Sequence, residues 1–130
     1  MNRLPGDAAG LTAGASVPKP NRLWLVALGI ALVAQLTALY WPVVPAGPSV
    51  PGLDKLVHIS IFAGPALAAL MAGINAPWVF GILVMHAPLS ELIQHFALAH
   101  RGGDVFDLMA DLAGIALGAV AYLVWNRRQP

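Results

Sequence analysis

The chain has 130 residues and a mean hydropathy of +0.74; 58% of its residues are hydrophobic and 10% are charged. Soluble domains carry roughly a quarter charged residues, so an ordinary soluble globule is all but excluded. A membrane-spanning helix takes about 20 residues, and four of them would leave no room for a separate soluble domain. The absence of Cys removes a disulfide framework, a thiolate metal site and a cysteine nucleophile.

Residues 1–22, with Pro5, Gly6, Gly10, Gly14, Pro18 and Pro20, lack a hydrophobic period and read as a flexible tail. The first apolar run, residues 23–41, is interrupted only by Gln35 and Thr37 and stops before Pro42. Its length exceeds the roughly 7 to 15 apolar residues of a signal peptide, so it is expected to be a retained span. The second run covers residues 56–74, after a loop over residues 42–53. The third covers residues 77–98, with Pro77 in the first turn, where a missing N–H costs nothing. The link between the second and third, Gly73-Ile74-Asn75-Ala76, is short enough for a tight helical hairpin. The fourth run, residues 105–125, is followed by Asn126 and a basic end, residues 127–130. The expected fold is all-α: one four-helix transmembrane bundle over residues 23–126, with Pro65 and Pro88 as kinks.

The basic residues set the expected orientation. Arg3, Lys19, Arg22, Arg127 and Arg128 flank the two ends of the bundle, which four spans place on one side; only Lys55 and Arg101 belong to the other. Both termini are therefore expected to be cytoplasmic. Of the acids only Asp7 lies inside, while Asp54, Glu91, Asp104, Asp107 and Asp111 lie at or near the outer ends. Trp24, Trp78 and Trp125 at the inner ends, and Tyr40 and Trp41 at an outer end, suit interfacial anchors.

Helical spacing sorts these polar residues onto faces. Asp54 and His58 are four apart; Glu91, Gln94 and His95 stand at i, i+3, i+4; Asp104, Asp107 and Asp111 form one stripe that continues as Gly114 and Gly118. The two glycines are a small-xxx-small pair that admits another helix closely. Glu91 and Asp111 should lie roughly 10 Å below the outer end, where a lipid-facing carboxylate costs about 2 to 3 kcal/mol or more. They should therefore face the interior, pair with Lys55, Arg101 or a His, or stay protonated. Two readings follow: acids that staple the helices and cap the outer turn, or a functional pocket, which the number of groups favours. Gln35 and His86 are expected to make interhelical hydrogen bonds, although Gln35 also suits the pocket lining.

The series Asp54-Lys55-x-x-His58-x-x-x-Phe62, Glu91-x-x-Gln94, Arg101 and Asp107-x-x-x-Asp111-x-x-Gly114-x-x-x-Gly118 resembles the VanZ-like family, small bacterial membrane proteins named for a link to teicoplanin resistance. The similarity covers about residues 53–118, with a matching first span. Family members often carry Asn where this chain has Asp111, which puts any role of an amide donor there in question. The resemblance implies a protein of the bacterial cell envelope, in the cytoplasmic membrane, without fixing an activity or a drug-resistance role.

The preferred functional expectation is an outward-facing pocket that binds or modifies a lipid, a lipid-linked cell-wall intermediate or an amphiphilic antibiotic. In an enzymatic version His58 is the general acid or base, Asp54 orients it, and Glu91 and Asp107 supply a second acid or base. Lys55, Gln94, Arg101 and Asp111 are the candidate ligand-binding residues, with the two bases on an anionic head group. A divalent metal held by His58 with Glu91, Asp107 and Asp111 is chemically possible, but the spacing is not diagnostic. No phosphate loop, nucleophile elbow or HExxH is present. The alternative is a non-catalytic scaffold packing against membrane partners or its own copies through Gly114 and Gly118. A transport pathway is disfavoured because polar groups stop partway down, and nucleic-acid binding because the few bases flank the membrane, where anionic lipid accounts for them.

Overall fold

The computed structural model describes residues 20–41, 50–98 and 104–129. They form four helices: α1 (Arg22–Tyr40), α2 (Leu53–Met71), α3 (Ala76–Ala97) and α4 (Val105–Arg127). All four are long and apolar enough to cross a membrane. Residues 1–19 of the expected tail, the loop over residues 42–49 and the turn over residues 99–103 lie outside the described residues, and Arg101 with them, while Asn21 and Arg22, expected in the tail, cap and open α1.

Local chemistry explains where the helices begin and end. The Asn21 side chain accepts the N–H of Leu23 at 3.1 Å, and the Asp104 carboxylate accepts the N–H of Asp107 at 2.9 Å; each satisfies one of a helix start's orphan donors. Helix α2 closes on Gly73 at φ +86°, with Gly73 N–H donating to the Leu70 carbonyl and Ile74 N–H to the Ala69 carbonyl, both at 3.0 Å. That paired pattern needs a left-handed residue, which glycine supplies without strain, and Asn75 stands at the N-cap position of the next helix, where its backbone carbonyl, not its side chain, accepts from Trp78 and Val79 N–H. Helix α2 starts at Leu53, three residues before the apolar run, so Asp54 and Lys55 belong to its first turn. Both α2 and α3 continue as helices through Pro65 and Pro88.

The helices alternate in direction, so α2 and α4 are parallel, and this pair is the most intimate contact of the bundle. The α4 stripe explains it. A Cβ on Gly114 would collide with the Ile59 carbonyl oxygen, and one on Gly118 would lie 2.6 Å from the Ala63 oxygen and 2.8 Å from Ala66 Cβ. The glycine pair is thus occupied within the chain by α2 and is not a free face for a second protein.

The core is small and narrow: Leu39, Phe62, Ala66, Ala69, Leu70, Val79, Leu83, Ala87 and Ile115. The outside is apolar, with Leu23, Val26, Ile30 and Val33 exposed along α1, and Trp78, Phe96 and Val105 at least 70% exposed. Large exposed apolar residues on every helix, around a small core that also buries Gln35, His58, Ser90, Glu91, Gln94, Asp107 and Asp111, invert the soluble pattern and suit lipid as the solvent. The chain is a multi-pass membrane protein.

Candidate functional site

One end of the bundle gathers the polar side chains. The starts of α2 and α4 and the last turns of α3 meet there, because the α2–α4 contact sets Asp104, Asp107 and Asp111 against Lys55 and His58. The stripe read from the sequence is realised in register, from ion pairs at the mouth to the glycines below.

The residues form two layers. In the outer one, the Lys55 ammonium reaches Asp54 at 3.2 Å and Asp104 at 3.5 Å and pairs most closely with Asp107. The side chains of Asp54 and Asp104 are 68% and 50% exposed, whereas Asp107 is buried. Asp104, just ahead of α4, has its carboxyl held below the usual range, first by the Asp107 N–H that it caps, with Lys55 adding to the effect. The inner layer is His58, Glu91 and Asp111. His58 Nδ1 lies 2.8 Å from Asp111 Oδ1 and 3.8 Å from Glu91 Oε1. The other Glu91 oxygen accepts the Asp104 backbone N–H at 3.0 Å, which ties α3 to the start of α4.

The sequence expectation gave Asp54 the task of orienting His58. Asp54 Oδ1 stands 4.0 Å from Nε2, while Asp111, fully buried, makes the direct hydrogen bond to Nδ1. With Asp111 accepting from Nδ1–H, the Nε2 lone pair is turned toward Asp54 and the mouth. Gln94 also has a different partner: its Nε2 donates to the Leu39 carbonyl at 3.0 Å and secures α3 to α1. Asp107 belongs with Lys55, and Gly114 and Gly118 are packing residues.

Deeper in, His86 Nε2 lies 3.0 Å from the Tyr40 hydroxyl, the interhelical bond expected of it. Gln35 departs from expectation: it is 1% exposed, yet neither amide atom has a hydrogen-bond partner. Two more buried oxygens lack hydrogen-bond partners: Glu91 Oε1 and Asp111 Oδ2.

A cavity of about 280 Å³ lies beside the cluster, between α3 and α4, lined by Pro88, Glu91, Leu92, His95, Asp104, Val105 and Leu108. Leu92 and Val105 are exposed on the outside of the bundle, so the groove opens sideways. Its apolar residues were not among the sequence candidates. The signal was present in the spacing of Pro88, Leu92 and His95 around Glu91 on one face of α3, but hydrophobic residues on a membrane helix do not stand out from their background.

Among the described residues the cluster holds five carboxylates, Asp54, Glu91, Asp104, Asp107 and Asp111, against Lys55 and His58. Two groups of donors, Asp54–His58–Asp107 and His58–Glu91–Asp111, are close enough to hold a metal ion. Among the described residues the core below this layer is apolar apart from Ser90, Gln35, and His86 with its Tyr40 partner, so the ionisable groups are concentrated at one end of the bundle. No family model, curated protein or solved structure matches the chain.

Proposed function

We propose that the chain is a VanZ-like integral membrane protein of the bacterial cell envelope whose polar cup and lateral groove together bind an amphiphile: a lipid, a lipid-linked cell-wall intermediate or an amphiphilic antibiotic. The observation that carries this reading is the double position of Glu91. Its carboxylate belongs to the His58–Asp111 layer and also lines the apolar groove between α3 and α4. A groove near the lower end of small-molecule sites, about 300 Å³, suits one end of such a molecule. The apolar part lies against Leu92, Val105 and Leu108, and the polar part reaches Glu91 and Asp104.

Lys55 and Arg101 attract an anionic group, and Arg suits phosphate in particular. If the pocket also modifies its ligand, His58 is the general acid or base, held in orientation by Asp111, with Glu91 as the second acid or base. No reaction is assigned. In the proposed orientation the termini are cytoplasmic and the cup faces outward from the cytoplasmic membrane, as the Lys and Arg distribution favours. The scaffold alternative draws less support than the sequence lent it, because Gly114 and Gly118 are filled by α2.

Alanine substitution of His58, Glu91, Arg101 and Asp107, scored for envelope-antibiotic susceptibility alongside protein abundance, tests the pocket. The proposal expects altered susceptibility at normal abundance for at least His58→Ala and Glu91→Ala. Four variants made normally with wild-type behaviour would overturn it.

A further inference from the structure

We infer that His58, Glu91 and Asp111 form a binding site for one divalent cation of the zinc or manganese class. Three helices bring the three donors together, and one ligand atom from each lies within 4.8 Å of the others. Metal–ligand bonds of about 2.0–2.2 Å put neighbouring donors about 3.0–3.5 Å apart. The observed separations, 2.8 Å from His58 Nδ1 to Asp111 Oδ1 and 3.8 Å to Glu91 Oε1, bracket that range. Small side-chain rotations would seat the ion.

A second observation is independent of the spacing. Glu91 Oε1 and Asp111 Oδ2 are buried oxygens without a hydrogen-bond partner, and Asp111 is 0% exposed. Buried polar atoms in native proteins are nearly always satisfied, and an orphan calls for a partner such as an ion. A cation on Glu91 Oε1 supplies that oxygen's partner, and one held by both oxygens of Asp111 would supply Oδ2 as well. The neighbouring donor group, Asp54–His58–Asp107, fits less well, because the Lys55 ammonium already occupies both carboxylates and a metal would have to displace it.

One imidazole with two carboxylates suits Zn²⁺ or Mn²⁺ better than Ca²⁺, which takes six to eight oxygens. The ion takes the place of the proton between His58 Nδ1 and Asp111; the imidazole stays neutral by carrying that proton on Nε2, which faces Asp54, and no electron moves. Because Glu91 also borders the groove, the coordination position left open by three protein ligands faces the amphiphile site. The inference uses the same pocket but does not depend on an amphiphile, so the two can fail separately.

The test is a titration of the full chain, without a histidine tag, in detergent after chelator treatment, with ZnCl₂ or MnCl₂ as the only probe. Calorimetry and elemental analysis should find one ion per chain, with Ca²⁺ bound at least about tenfold more weakly. Glu91→Gln and Asp111→Asn should each weaken binding by about tenfold or more while retaining the helical signal and melting transition of the wild type. Should Asp111→Asn not be recovered folded, Glu91→Gln decides alone. Absence of saturable binding, binding unchanged in the folded variants, or loss in Asp54→Asn with Asp111→Asn unaffected would each overturn the assignment.

Discussion

Lys55 connects three acids, Asp54, Asp104 and Asp107, but only Asp107 is buried, so the energetic weight of the pair falls there. Replacing Lys55 with Met leaves a buried carboxylate without its cation. The expected loss is about 1–3 kcal/mol, reduced from that of a fully buried pair because Lys55 is partly exposed. Adding Asp107→Asn should recover part of it, and a double-mutant cycle on unfolding in detergent measures the coupling. Tyr40→Phe should cost about 1 kcal/mol in the same assay, through the bond lost to His86. The charged members of this site were legible in the sequence because a carboxylate inside a membrane helix has few places to go. The partners were not legible: Asp54 and Asp111 are both at plausible helical positions for His58, and only the relative rotation of α2 and α4 decides between them.

The α2–α4 contact depends on two glycines, and their neighbours grade the consequences. Gly114→Ala meets the Ile59 carbonyl and should destabilise by about 1–3 kcal/mol in thermal unfolding. Gly29→Ala has open space around its new methyl and should be neutral or stabilising by up to about 1 kcal/mol, as helix propensity alone dictates. At the start of α4, Asp104→Ala removes the cap on Asp107 N–H at a cost of about 1 kcal/mol. Because the folded carboxyl titrates lower than in the unfolded chain, that contribution is present above the ordinary Asp range and fades as the pH falls through the lowered value. The wild-type-minus-variant difference in stability should therefore shrink in acid, as parallel melting curves would record. Apolar runs and prolines located each helix to within a few residues. The first turn of α2 was missed because Asp54 and Lys55 interrupt the apolar run without interrupting the helix. The identity of the helix that packs on Gly114 was also hidden, since a small-xxx-small stripe fits a neighbour, a diagonal partner or another chain equally.

Across the bundle, charge and hydropathy act on separate axes. Apolar side chains such as Val26, Ile30, Met85 and Phe96 face outward along its length, while the buried ionisable groups Asp107, Asp111, Glu91 and His58 gather at one end of its interior. That arrangement carries both the membrane reading and the proposed outward cup, and a topology reporter inserted in the loop over residues 42–49 should read extracytoplasmic. A cytoplasmic signal would reverse the cup. The central claim is that this end of the molecule holds a ligand rather than merely joining helices. Native mass spectrometry of the chain released from mild detergent tests it most directly. The wild type should retain one lipid-sized adduct, which Glu91→Ala and the groove-filling Leu108→Trp both lose while melting within a few degrees of wild type. Equal retention by the wild type and both folded variants, or no retained adduct on the wild type, would contradict the account.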